Sequence, residues 1–202
     1  MTDKFPMVRS DNVQALPTYE YTYSSNTTGA NFNTQLQTVG WNGVETAILI
    51  IIVNASIELT SGTQTGSVPA GCALSLQCEG TIRGTNCNGD DGLSLGHDIT
   101  ATGSGDIKGG GGSGGSGGSS GPCGQTCVPD GEQGTTCYPA PPSPGSPGAC
   151  GDYGDAGATG GTGGCGGSPG GPGGAAGYAV RENGYSFTNA SGGSLTTDGT
   201  VG

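Results

Sequence analysis

The sequence predicts a mainly β protein with irregular segments: a short N-terminal β domain followed by a glycine-rich bundle of polyproline-II-like helices, with no significant α-helix. Three observations lead there. Glycine fills 46 of the 202 residues and only 31% are hydrophobic, whereas glycine usage averages about 7%, so no single Leu/Ile/Phe core can run the length of the chain. The glycines recur at every third position over long stretches. Eight cysteines are available as staples. Periodicity and cysteines together argue against the disorder that low hydrophobicity with a net charge of −11 normally signals.

Residues 1–43 are polar and mixed and form the natural attachment segment. Tyr19, Tyr21 and Tyr23 alternate with polar residues, as in a half-buried strand. That strand either docks on a larger particle by strand addition or packs on the chain's own β region. Asn26-Thr27-Thr28-Gly29 and Trp41-Asn42-Gly43 read as turns.

Residues 44–84 are the conventional β-strand domain. Val44 to Val53 is rich in β-branched residues and reads as a strand buried on both faces. Ile57 and Leu59 then alternate with Glu58 and Thr60. After the turn Val68-Pro69-Ala70-Gly71, the series Cys72, Leu74, Leu76 and Cys78 alternates with polar partners, and Thr81-Ile82-Arg83 follows. Short strands with small turns suit a sandwich or a β-prism.

Residues 85–177 form the glycine-rich domain. Gly109, Gly112, Gly115, Gly118, Gly121 and Gly124 keep a period of three, and a second phase runs through Gly111, Gly114 and Gly117. A Cys/Pro-rich loop spans 123–150, and the period resumes from Gly145 to Gly166. A polyproline-II helix has three residues per turn and no internal hydrogen bonds. Glycine at every third position strips one edge of side chains, so another backbone can pack there and bond laterally; two glycines in three strip two edges. The interior is then backbone, which resolves the missing core. A flexible Gly/Ser linker needs neither strict phase nor Cys150 and Cys165 inside the repeat, and collagen needs far more proline. Residues 178–202 revert to closing strands around Tyr185-Ser186-Phe187-Thr188 and Ser194-Leu195-Thr196-Thr197.

Composition excludes several functions. Five basic residues against sixteen acidic ones leave too few cations to replace counterions on nucleic acid or to hold an anionic membrane surface. The longest apolar run, Ala47 to Val53, is far short of the roughly 20 residues of a membrane span, so no membrane insertion is expected. Met1-Thr2-Asp3-Lys4-Phe5-Pro6 lacks a basic patch followed by an apolar segment, so no secretory signal is expected. A cysteine-rich chain without that signal fits a virion protein made in the cytosol that works outside the cell.

Three stretches, taken in order, carry a family resemblance. Val68-Pro69-Ala70-Gly71 leads through an alternating strand to Glu79-Gly80-Thr81-Ile82-Arg83-Gly84; glycine triplet tracts follow; then come Gly177-Tyr178-Ala179-Val180, Asn183-Gly184 and the terminal Thr197-Asp198-Gly199-Thr200-Val201-Gly202. This order, over roughly residues 45–202, resembles the glycine-rich C-terminal domains of bacteriophage tail-fibre and tail-tip adhesins. The resemblance implies a sandwich of polyglycine-II helices, distal loops that bind a protein or glycan receptor on the bacterial surface, and an exposed place on the virion at the tail or fibre tip. Residues 1–43 lack the resemblance and are expected to hold other virion proteins, and a homotrimer is a candidate assembly. Eight cysteines and a long cysteine-bearing inter-tract loop depart from the family pattern.

Catalytic chemistry is not expected. His97 is the single histidine and sits beside Asp98 in a polar loop, poor grounds for a Ser-His-Asp site. Asp152 and Asp155 read as solvated rather than as a glycosidase pair. Asp90, Asp91 and Asp98 could hold calcium, but no 12-residue EF-type loop surrounds them, and no metal or cofactor is assigned. Cys72, Cys78, Cys87, Cys123, Cys127, Cys137, Cys150 and Cys165 suit disulfides better than zinc, for which Cys123-x3-Cys127 has no partner pair. Cys72 and Cys78 share a strand face about 20 Å apart, so each must pair elsewhere unless the chain turns. Receptor contact falls on Asp130, Glu132, Tyr138, Asp152 and Tyr153, because tyrosine is a low-entropy contact residue and proline and disulfides preorganise a loop. The rival functions are a purely structural head-fibre or capsid-decoration protein and an ice-binding protein, for which Ala156, Thr159 and Thr162 offer only a short array.

Overall fold

Parallel strands cannot be joined by a hairpin and need a crossover; this chain supplies the crossover by winding in coils. The computed structural model describes residues 15–121, 125–130, 134–139 and 141–202. Coil one holds β1 (Thr18–Tyr23), β2 (Thr27–Thr28) and helix α1 (Phe32–Thr38). Coil two holds β3 (Ile48–Val53), β4 (Glu58–Thr60) and β5 (Thr63–Gln64). Coil three holds β6 (Ala73–Cys78), β7 (Thr81–Arg83) and β8 (Leu93–Ser94). Coil four begins with β9 (Ile99–Thr102) and β10 (Asp106–Lys108), leaves through the glycine-rich excursion with its hairpin β11 (Gln125–Asp130) and β12 (Gly134–Pro139), and is completed by β13 (Val180–Arg181). Coil five holds β14 (Phe187–Asn189) and β15 (Thr196–Asp198).

The coils stack into three parallel sheets, ordered β1-β3-β6-β9-β14, β15-β10-β7-β4-β2 and β13-β8-β5. The sandwich or β-prism expectation is therefore corrected to a three-sided parallel stack. Alternation gives the period of a strand but not the direction of its neighbour, and the small corner turns look like hairpin turns in sequence. The chain is mainly β, as expected, with one seven-residue helix among the described residues.

Register explains the core. Tyr19, Leu49, Leu74 and Ile99 stand above one another, as do Tyr21, Ile51, Leu76 and Ala101. Leu59, Ile82 and Ile107 line the second wall, and Leu93 and Val180 the third. Most of these side chains are fully buried, each worth about 1.5–3 kcal/mol for an aliphatic residue. The strand at Val44–Val53 is not buried on both faces: it begins at Ile48, with Leu49, Ile51 and Val53 inward, Ile48 37% exposed and Ile50 and Ile52 half-buried outside. β1 pairs with β3 residue for residue, so the tyrosine strand packs on the chain's own β region.

Helix α1 takes the third side of coil one. Asn31 caps it, its Oδ1 accepting from Thr34 N at 3.1 Å. Phe32 and Leu36, one turn apart, are buried against β1 and β3 and close that end of the core.

Candidate functional site

The excursion between β10 and β13 is a bundle of four extended tracts whose ladder is spaced by three residues. Tract one (109–121) runs outward from the coils, tract two (143–154) returns, tract three (155–164) runs outward and tract four (167–177) returns. Tract one receives bonds from tract two, with Gly145, Gly148 and Gly151 N–H donating to the carbonyls of Gly118, Gly115 and Gly112 at 2.8–3.0 Å. It donates to tract three, from Gly112, Gly115 and Gly118 to Asp155, Ala158 and Gly161. It receives again from tract four, with Gly171 and Gly174 donating to Ser116 and Ser113. Tract three bonds to tracts two and four in the same rhythm, through Gly161 to Ser146 and Gly160 to Gly171.

This ladder accounts for the triplet Gly-Gly-Ser. A Cβ on Gly111, Gly114 or Gly117 would lie 1.9–2.0 Å from a carbonyl oxygen of tract two. On Gly112, Gly115 or Gly118 it would lie 1.9–2.0 Å from one of tract four. Ser113, Ser116 and Ser119 occupy the remaining, solvent-exposed phase.

The base of the bundle is fused to the coils. Gly110 N–H donates to Asp90 O at 2.8 Å, Gly109 to Asp198 O at 2.9 Å and Gly89 to Gly111 O at 3.0 Å. Asp91 grips Arg181, whose guanidinium also lies 4.4 Å over the Tyr178 ring, and Asp91 Oδ1 accepts Tyr178 N at 3.0 Å. That carboxylate is the main reason the Arg181 pKa is raised. Cys87 and Cys150 form a disulfide with Cα atoms 5.0 Å apart, tying the 84–92 loop to tract two.

The far end carries the antiparallel hairpin β11–β12, which sets Cys127 opposite Cys137, and the turn Gly164–Gly167. Cys165 on that turn is disulfide-bonded as well.

The predicted contact residues divide between these ends. Glu132 and Cys123 lie outside the described residues, and Asp130 and Tyr138 are placed only as the backbone of β11 and β12, at the far end. Asp152 and Tyr153 sit at the base turn, nine residues along tract two from Ser143, or about 28 Å at ~3.1 Å per residue. Asp152 is exposed, but the Tyr153 hydroxyl accepts from Arg83, whose guanidinium lies 5.3 Å over its ring. Asp152 and Tyr153 therefore do not join the distal loops; a turn of glycine tract reads alike at either end of the bundle.

The disulfide expectation for Cys72 and Cys78 is corrected: both are free, buried thiols. Cys78 stacks below Val53 in the core ladder, and burial pushes its thiol up to about 12. In a coil stack the inward positions act as apolar slots, filled from the coils above and below.

Asp90, Asp91 and Asp98 are occupied within the chain: Asp90 Oδ2 accepts from Ser61 Oγ, Asp91 holds Arg181, and Asp98 Oδ1 accepts from Ser186 N at 2.7 Å. Among the described residues no group of three or more His, Cys, Asp and Glu is placed to hold a metal ion, and no helix is long and apolar enough to cross a membrane.

Sequence reasoning missed an exposed apolar group on the first coils. Leu16, Val39, Val44 and Ile48 are 43%, 42%, 75% and 37% exposed. Leu16 and Ile48 are neighbours, because Ile48 N–H donates to Pro17 O. They adjoin β1, the terminal strand of its sheet.

Comparison with known proteins bears on this arrangement. The family described as phage tail fibre adhesin Gp38 matches residues 18–202. No curated protein matches the chain. Among solved structures, the chain is similar to one from the gp37-gp38 adhesin tip complex of the bacteriophage S16 long tail fiber, with a TM-score of 0.52 and 16% identity, covering 91% of this chain and 82% of that one. At that identity the likeness speaks to the fold.

Proposed function

Because the chain belongs to the phage tail fibre adhesin Gp38 family, we propose that it sits at the tip of a tail fibre, grips the fibre through its first coil and presents the far end of its glycine bundle to the bacterial surface. The chain is a tail-fibre adhesin and a virion component; its role is binding. The four tracts are polyglycine-II helices, a reading supported by the three-residue ladder and by glycines that admit no Cβ. Their stiffness holds the distal loops clear of the coils.

The observation that carries the attachment reading is the first coil. A parallel sheet rarely leaves its edge uncovered. Here the β1 edge has no strand partner among the described residues, exposed Leu16 and Ile48 lie beside it, and exposed Val44 adjoins Glu45, whose carboxylate accepts from Tyr19 of β1. That surface fits another tail protein adding a strand to β1 and covering the apolar group. The break at residue 43 then marks function rather than folding, since β1 and α1 complete the core.

The experiment is to assemble particles with Leu16→Asp/Val44→Asp. Both side chains are exposed, so the variant should fold with an unchanged thermal midpoint, yet be missing from purified particles. Incorporation at the normal level would place attachment elsewhere.

A further inference from the structure

A cleft of about 680 Å³ opens on the outer face of the β6-β9-β14 sheet, away from both the β1 edge and the bundle tip. Its floor is a row of hydroxyls, one per coil: Ser75, Thr100 and Thr188 stand in register, about 4.8 Å apart. None of the three hydroxyls hydrogen-bonds to another described group, whereas the outward pair Thr28 and Thr60, on the neighbouring sheet, bond to each other at 2.8 Å. The wall comes from the corner turns. Tyr185 contributes an aromatic ring 42% exposed, and the polar His97 and Asp98 line the cleft with it. The cleft contains no Lys or Arg, and the chain carries a net charge of −11.

We propose that this cleft binds an uncharged oligosaccharide of the bacterial surface. A sugar ring offers a C–H face to an aromatic side chain and a rim of hydroxyls to a polar row, and here one exposed ring stands beside one unpaired row. The coil spacing makes the row repeat in one direction, as a short glycan chain does. Absent cations and the acidic field disfavour saccharides bearing phosphate or carboxylate. The His97 Nδ1 to Asp98 O contact of 2.8 Å and the Asp98 Oδ1 to Ser186 N bond fix the corner without filling the floor. The inference rests on the adhesin reading only for the source of the glycan. The site lies on the coils, so an adhesin whose tip engages its receptor normally could still lack it.

The test uses the full chain on an array of bacterial-surface oligosaccharides, with neutral hexose, deoxyhexose and N-acetylhexosamine chains in one arm and phosphorylated or uronate-bearing chains in the other. The best neutral binder is then titrated calorimetrically against wild type, Tyr185→Ala and Thr100→Val/Thr188→Val. At least one neutral chain should bind and the charged arm should stay empty. Tyr185→Ala should weaken binding about tenfold, the scale of one lost ring contact, and the valine pair should weaken it comparably, with thermal midpoints unchanged. No neutral binder at millimolar concentration, equal binding in the charged arm, or undiminished affinity in both variants would overturn the proposal. A parallel cell-binding assay with wild-type and Tyr185→Ala protein separates this site from the tip, whose contact the substitution leaves in place.

Discussion

Replacing Gly160 with Ala adds one methyl group to the middle of the bundle. Its Cβ would lie 2.0 Å from Ser116 O and 2.5 Å from Ser116 C, where ordinary contact begins at 3.4 Å. Tract three must therefore retreat from tract one by more than an ångström. That shift strains the overpacked interior by about 1–3 kcal/mol. It also breaks or stretches the bonds that join the two tracts on either side of it, from Gly115 to Ala158 O and from Gly118 to Gly161 O, both 2.8 Å, worth about 1 kcal/mol each. Alanine offsets roughly 0.4–1 kcal/mol by restricting the unfolded chain. The net loss is about 3 kcal/mol, which for a chain of this size lowers the thermal midpoint by roughly 6–12 °C. Gly161→Ala is the control: one residue along, the nearest atom to its Cβ is 3.3 Å away, so the change should stay within about 0.5 kcal/mol. Circular dichroism melts of both variants decide the matter. Equal midpoints would refute a bundle held by direct backbone contact.

The Cys87–Cys150 bridge spans 63 residues, so Cys87→Ser/Cys150→Ser should cost about 4 kcal/mol in the chain-entropy account, read as a lower denaturation midpoint, while iodoacetamide should leave Cys72 and Cys78 unlabelled until the protein is unfolded, as mass mapping would report. Glu79 accepts from Ser104 Oγ at 2.6 Å and from Ser104 N at 3.2 Å, with the hydroxyl bond first in holding its carboxyl below the usual range. A depressed folded pKa means that its stabilisation is present above the unfolded carboxylate pKa and lost as pH falls through the folded value; Glu79→Gln should accordingly flatten the acid limb of the stability–pH curve.

Much of this architecture was legible in the sequence, for a reason that differs between the two halves. The glycine phase could be read because the constraint is steric and local: each tract edge that meets another backbone rejects a side chain, so period and interior coincide. The coil stack was harder. Leu74, Leu76 and Cys78 reveal a strand and its inward face, but the partner of each residue lies about 25 residues away along the chain, as Leu49 to Leu74 and Leu74 to Ile99 show, and no short motif marks that spacing. Cysteine content misled at Cys72 and Cys78 because a thiol in an inward slot is a small apolar residue. Which end of the bundle holds Asp152 and Tyr153 was not legible, because direction along a tract is set by connectivity, not by composition. The cleft at Tyr185 and Thr100 could not be read at all, since its residues come from three coils.

The proposed function turns on receptor contact at the far end of the glycine bundle. Its most direct test replaces residues 122–142 with a Gly/Ser linker and measures binding of the labelled chain to host cells, together with its power to block adsorption of phage carrying the wild-type adhesin. The melting transition of the coils should be unchanged, with both cell binding and blocking lost. A linker variant that still binds cells and blocks adsorption as wild type does would contradict that proposal.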